Sequence, residues 1–405
     1  MRIEPIRAQQ GVARLRDEWR GLQAQCPNAT PFQTWEWNQA WMRHFGARKR
    51  PLLLLFRSDA GELLGLAPLY VSFHLGTPLR RLAWMGTGTG DYLDILALSE
   101  HAEAVTDALR NFLNDELRGW DMADLQQLRA DSLLIQKTEV RSQKTEVRGQ
   151  KTEVRSQKSG GRSQKTEIAE SVLAMEPCPY LELPGTWDEV TARLGKKMRS
   201  NLGYYDRLLL KTYPDASYSL ADAGSVQDGM TALFELHQKR WNARWLPGVL
   251  GNRRVQAFHR EVAAQFLEQG WLRLHLLTIE GAIRSVLYCF HYNGKTHYYL
   301  GGFAPELGKY SLGTLLTGHA IRHAIAENSA EFDFLRGNES YKYRWLPQER
   351  INQRLLLLPA REGLGELPGK AGLALNRMER YVEHRAKAFA EQRKTKVKPS
   401  SEVSP

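Results

Sequence analysis

The sequence predicts an α+β protein of two consecutive units, each with a mixed central sheet flanked by helices, separated by a low-complexity insertion. Two observations carry this expectation. Apolar strand-like runs and amphipathic helical stretches recur in the same order in both halves of the 405-residue chain. Between the halves, residues 136–167 repeat a seven-residue unit, QKTEVRS, with small variations.

In the first half, MRIEPI reads as a strand. Val12 to Ala24 reads as a helix with Val12, Leu15, Trp19 and Leu22 on one face. In TPFQTWEWNQAWMRHFG, Thr34 fits an N-cap, and Trp37, Trp41, His44 and Phe45 recur at helical intervals, a spacing that suits core packing. PLLLLFRSDAGELLGLAPLYVSF is a hairpin turning at Asp59 to Glu62, RRLAWMGTGTGDYLDILAL supplies further strands, Ala102 to Leu117 a helix and MADLQQL a strand. The run GTGTGD from Gly86 to Asp91 precedes a strand rather than a helix, so it lacks the context of a glycine-rich phosphate cradle and reads as a loop.

The inserted repeat offers one valine per unit, and its fourth copy has none, so no coiled-coil seam exists and the segment is expected to be disordered. After it, VLAMEPCPYLEL reads as a strand, Trp187 to Tyr213 as one long basic helix, and Val226 to Arg244 and Arg254 to Glu268 as two more helices. Turns at Glu280-Gly281 and Asn293-Gly294 then divide three antiparallel strands. Leu312 to Glu327 is a helix, and EFDFL and RLLLLP are the last strands.

Composition limits the function classes. The chain is 42% apolar and 25% charged, enough for two packed cores. The net charge of +11 is concentrated in two segments, 137–167 and 370–405, each with nine basic and four acidic residues, which leaves the remainder nearly neutral. No specific nucleic-acid partner is expected on that ground, and the basic helix with Lys196, Lys197, Arg199, Arg207 and Lys211 reads as a solvated face or as an attractor of anions. Cys26, Cys178 and Cys289 are scattered, without CxxC or Cys/His pairing, so neither a disulfide framework nor a metal site is expected. No apolar run approaches the roughly 18 residues of a membrane span, and the start lacks a signal-peptide core, so the expectation is a cytoplasmic protein whose basic tail can touch a membrane surface.

The informative segment runs YYLGGFAPELGKYSLGTLLTGHAIRHAIAENSAEFDFLRGNESYKYRW. A strand enters a loop with Gly308 and Gly313 and then a helix beginning near Leu312, whose leading amides can bind phosphate. Lys309 adds a cation, and Tyr310, Ser311 and Thr314 add hydroxyls. On local grounds the same residues equally form an ordinary glycine turn with Ser311 as N-cap.

This segment resembles the region of GNAT enzymes where strand four leads into the pyrophosphate loop and helix. FDFLRGNESYKYRW is similar to the ending of the BioF2-like or CelD-like acetyltransferase family. LGKKMRSNLGYYDRLLL and LFELHQKRW extend the resemblance over about Trp187 to Trp345, while TPFQTWEWNQAWMRHFG and GTGDYLDILAL match the family's N-terminal half. Asn338 stands where the family has an acidic residue, and Leu312 where proline is frequent.

The resemblance implies two GNAT-like acyl-CoA N-acyltransferase domains in tandem, with boundaries at residues 1–133, a disordered linker at 134–168, a second domain at 169–362, and a basic helix and tail at 363–405. It implies acetyl-CoA or another acyl-CoA as donor, lying between THYYLGGFA and EFDFLRG, and a small-molecule, sugar or glycan-precursor acceptor. Glu339 is the candidate base, Tyr341 or Tyr343 the candidate proton donor to the thiolate, and Lys309, Tyr310, Ser311, Gly313 and Thr314 the donor contacts. His237, Arg240, Asp91 and Tyr92 are candidate acceptor contacts. The other readings of these residues are a Glu339–Lys342 salt bridge, a structural Asp333–Arg336 pair and a core histidine. Two alternative functions are a FemAB-like transferase using aminoacyl-tRNA and a non-catalytic accessory protein of exopolysaccharide or cellulose synthesis.

Overall fold

The computed structural model describes residues 1–74, 78–116, 120–138, 168–242 and 249–359. The first half begins with β1 (Arg2–Ile6), α1 (Gln9–Arg14), α2 (Arg16–Ala24) and α3 (Trp35–Phe45), followed by β2 (Arg50–Arg57), β3 (Leu63–Phe73) and β4 (Arg80–Trp84). It continues through β5 (Leu96–Ala97), α4 (Ala102–Asn111) and β6 (Met122–Leu128). The helix expected from Val12 to Ala24 is broken at Leu15, which ends α1 and starts α2 with φ −84° and ψ 4°. Thr34 caps α3 as expected, its side chain accepting from the Trp37 amide. Trp37 and Trp41 are buried.

Residues 133–138 form a short helix, α5, which reaches into the segment expected to be disordered. It folds because Leu134 and Ile135 are buried and the Arg110 guanidinium donates to Leu134 O and Thr138 Oγ1. Residues 139–167, with the rest of the repeat, and the tail from residue 360 lie outside the described residues.

The second half contains β7 (Ile168–Glu182), α6 (Trp187–Arg193), α7 (Lys196–Thr212), β8 (Ser217–Leu220), α8 (Val226–Asn242) and α9 (Arg253–Glu268). Next come β9 (Leu272–Ile279), β10 (Ala282–Tyr292), β11 (Lys295–Phe303), α10 (Leu312–Ala326), β12 (Glu331–Asp333), α11 (Ser340–Tyr343) and β13 (Gln348–Pro359). The single basic helix expected from Trp187 to Tyr213 is two helices, because Leu194 and Gly195 are extended (ψ 146° in both) and Leu194 is buried in the core.

All strands join one mixed sheet in the order β1-β2-β3-β4-β6-β13-β7-β12-β11-β10-β9-β8, with β5 alongside β3. The last strand decides this continuity. β13 inserts between β6 and β7, so that Leu355 faces Leu125 on one side and Val172 on the other. A large apolar cluster spans both halves, with Trp37 of α3 in edge contact with Phe258 of α9 at 5.1 Å and with Phe290 of β10 at 6.0 Å. A second cluster under α10 includes Leu316, Ile321, Phe332 and Trp345. Each fully buried large side chain in these clusters contributes about 1.5–3 kcal/mol.

A chain ending at Pro347 is expected to lose the cooperative unfolding of both halves, since β6 and β7 lose the strand that joins them and both facing edges open together. Urea unfolding followed by tryptophan fluorescence and near-ultraviolet dichroism checks this. A retained cooperative transition at the full-length midpoint would show that the two halves fold without β13.

Candidate functional site

The site is created where two parallel strands part. β11 and β12 pair only at Lys295–Glu331, Thr296–Phe332 and His297–Asp333. Beyond that point a local turn forces the separation. Asp333 Oδ1 accepts the Leu335 amide at 2.7 Å, and Leu335 is left-handed at φ 56°, so the chain swings out of the sheet. The buried Lys342 ammonium fixes the new direction by donating to the carbonyls of Leu335 (3.0 Å), Arg336 (2.8 Å) and Gly337 (3.3 Å). Gly337 has φ 116°, a conformation that side chains disfavour, and the Glu339 carboxylate folds over it toward Lys342 at 3.0 Å. The run FDFLRGNESYK thus encodes an opening device.

The opening is a cleft of about 230 Å³. Its floor is the part of β11 that β12 has left, where Gly301 and Gly302 present bare backbone. A Cβ on Gly301 would lie 2.5 Å from the Tyr298 hydroxyl, and one on Gly302 would lie 2.9 Å from Leu236 of α8. Beyond His297 this edge has no β12 partner, so its amides and carbonyls are available to an extended ligand. One wall is the start of α10. Ser311 sits at φ 50° and ψ 45°, its side chain makes no cap, and its carbonyl takes the amides of Thr314 and Leu315. By helix geometry the leading amides of Leu312 and Gly313 are left for an external acceptor. Tyr341, Arg344 and Trp345 complete the lining.

The first half of the chain braces the opening from the other side of the sheet. The Tyr92 hydroxyl donates to Asp333 Oδ2 at 2.7 Å, and the Tyr299 hydroxyl donates to Thr89 O at 2.7 Å. Arg336 pairs with Asp91 at 3.1 Å and donates to Gly88 O at 3.2 Å. Burial pushes the Asp333 carboxyl up to about 7, with Arg350 at 3.7 Å only partly opposing it. Burial also raises Asp91, against the pull of Arg336.

Of the residues singled out in the sequence, Gly308, Ser311, Leu312, Gly313, Thr314 and Tyr341 come together around the cleft. Lys309 is exposed and rests over the Tyr310 ring at 4.9 Å, while Tyr310 is buried against Tyr213 at 5.5 Å; neither lines the cleft. Glu339 lies on the outer side of the turn, 53% exposed and paired with Lys342. Tyr343 turns away to hydrogen-bond Glu349. His237 is buried behind β11, close enough to the equally buried His259 to help lower that ring to about 3, where burial is the main cause. Arg240 is on α8, its side chain outside the described ones. Asp91 and Tyr92 lie in the brace, buried. Tyr298 lies in THYYLGGFA, the strand expected to border the donor, whereas Thr317, Arg344 and Trp345 were not singled out in the sequence.

Residues 196–343 match the family described as Acetyltransferase (GNAT) domain. No curated protein sequence matches the chain. Among solved structures, FemX superposes with a TM-score of 0.58 at 11% identity, covering 88% of this chain and 97% of FemX. A conserved protein of unknown function from Bacteroides thetaiotaomicron superposes with a TM-score of 0.51 at 10% identity, covering 86% and 97%. These likenesses establish the fold over nearly the full length of both proteins.

Folded Asp333 keeps its proton to about pH 7, whereas an unfolded aspartate releases it near 3.8. Between those values the folded state binds more protons and gains stability as pH falls. Asp333→Asn removes this gain, so the urea midpoint of the wild type minus that of the variant is expected to grow from pH 8 down to pH 4.5. A difference independent of pH would show that the folded carboxyl is ionised throughout.

Proposed function

We propose, from the match of residues 196–343 to the Acetyltransferase (GNAT) domain family, that the chain is an acyltransferase that uses acetyl-CoA or another acyl-CoA and transfers the acyl group to nitrogen or oxygen of a small molecule, sugar or polysaccharide precursor. The observation that supports this best is the cleft itself. It offers an unpaired strand edge for the amides of a pantetheine arm and a helix N-terminus for a pyrophosphate, and no acidic side chain lines it among the described residues.

In the reaction the acceptor's nucleophile attacks the thioester carbonyl carbon, the C–S bond breaks, and the acceptor's proton leaves as the thiolate gains one. Tyr341 is assigned the protonation of the thiolate, because its ring lines the cleft beside Tyr298 at 6.1 Å. Asp91 and Tyr92 are assigned to positioning the β12 turn, since their polar groups are engaged by Arg336 and Asp333. Glu339 remains the candidate for the acceptor's proton, with the carboxylate first having to leave Lys342. The likeness to FemX supports the runner-up, transfer from aminoacyl-tRNA, at the level of fold alone. Titration calorimetry separates the readings: the proposed one requires CoA binding, and a protein that binds no CoA belongs to the runner-up or to a non-catalytic role.

Gly308→Asp is expected to weaken CoA binding by roughly tenfold or more with little change in melting temperature. A Cβ there meets nothing within 4 Å, and the new carboxylate faces the phosphate site. Gly313→Asp is the less clean variant, because its Cβ would press on Phe303 at 3.2 Å. Unchanged affinity in a folded Gly308→Asp protein would remove the phosphate assignment.

Tyr341→Phe should lower kcat by roughly 10²-fold while CoA affinity holds. For Glu339→Gln, a comparable kcat loss at unchanged melting temperature is the result expected of a base. A loss of stability with kcat intact would leave Glu339 as the counter-ion of Lys342 alone.

A further inference from the structure

Arg344 is the single charged side chain lining the cleft among the described residues, and it lies outside the segment that matches the family, one residue past its end. Other arginines around this region are committed: Arg336 to Asp91, Arg350 to Glu331, Arg354 to Asp124 and Arg322 to the face of Trp187. Arg344 has no hydrogen-bond or ion-pair partner among the described residues, and it is exposed. Its backbone is nevertheless fixed. It ends α11 at φ −65° and ψ −21°, between Lys342, whose ammonium is locked to three carbonyls, and Trp345, which is 3% exposed in the core under α10. Its guanidinium belongs to the lining of the same cleft as Leu312 and Gly313 at the start of α10, and that lining holds no carboxylate. The guanidinium and the helix start therefore present positive charge to the same volume, and this arrangement favours an anion with several oxygens over a neutral or cationic ligand.

We propose that Arg344 is a ligand-binding residue that contacts a phosphate of the donor's nucleotide end in the cleft that the start of α10 also lines. The proposal rests on the acyl-CoA reading above. The shared chemistry is a phosphate oxygen, and the donor offers two sources, the pyrophosphate and the ribose 3′-phosphate.

Calorimetry with CoA, dephospho-CoA and pantetheine on the wild type, Arg344→Ala and Arg344→Lys tests it. Arg344→Ala is expected to raise the Kd for CoA by roughly 10- to 100-fold, the range for losing a charge-assisted hydrogen bond, with Arg344→Lys in between. It should also flatten the dependence of CoA affinity on salt between roughly 50 and 500 mM. Pantetheine, which carries no phosphate, should bind the three proteins alike. An equal loss on dephospho-CoA assigns the contact to the pyrophosphate, and no loss there assigns it to the 3′-phosphate. The fold should not suffer, since the side chain is exposed and unpartnered.

Unchanged CoA affinity in Arg344→Ala, or an equal loss on pantetheine, overturns the assignment while leaving the donor reading in place. A wild-type protein that binds no CoA overturns the donor reading, and this proposal with it.

Discussion

The carboxylate of Asp333 holds the structure in the state that makes a site available. One oxygen takes the Leu335 amide and the other takes the Tyr92 hydroxyl, so a single side chain both turns β12 out of the sheet and ties that turn to the other half of the chain. Left to pair freely, the strand after Asp333 would continue along β11 and close the gap, because ladder hydrogen bonds and burial both favour it. The turn competes by satisfying its own polar groups. The amide of Leu335 goes to Asp333, and three carbonyls go to Lys342. Leaving any of these buried and unpaired would cost about 1–3 kcal/mol each. The half-exposed Glu339 adds little to Lys342 beside those carbonyls, as partly solvated ion pairs do.

The second constraint is that the halves share one sheet. β13 lies between β6 and β7, and Asn293 at the β10–β11 turn donates to the carbonyls of Cys26, Pro27 and Ala29 in the first half. The first half has its own short parallel pair, β4 with β6, and a nearby cavity of about 290 Å³ lined in part by Thr30, Gln33, Asp94 and Ser132. There the polar groups bond one another: Thr30 to Gln33, Gln33 to the Asp94 carbonyl, and Asp94 to Ser132. The cleft in the second half differs because its strand edge and its helix start are left unsatisfied by the protein. That difference in hydrogen-bond satisfaction, rather than in cavity size, is the physical reason for proposing the second-half cleft as the ligand site.

Much of this was legible in the residues. The Asn293-Gly294 and Glu280-Gly281 turns fixed the β9–β11 meander, the aromatic spacing of α3 fixed a helix with Thr34 as its cap, and the strand–loop–helix run ending in FDFLRGNESYKYRW contains several of the side chains that line the cleft. Local chemistry decides such features, through turn residues with positive φ, capping side chains and hydrophobic period. The breaks at Leu15 and at Leu194–Gly195 were not read from the sequence, since the hydrophobic period continues through both; in the fold both leucines are buried in the core.

Roles within the site divide the same way. The sequence by itself determined that Ser311, Gly313, Thr314 and Tyr341 belong to one neighbourhood, because a glycine loop before a helix and a motif after a strand carry that information locally. Only the tertiary structure decided that Tyr310 packs inward, that Asp91 and Tyr92 brace a turn more than two hundred residues away, and that Arg344 lines the cleft without a partner among the described residues. These outcomes depend on which groups meet across the sheet, and an amino-acid pattern does not record whether a charge has found its counter-ion until the chain has folded around it.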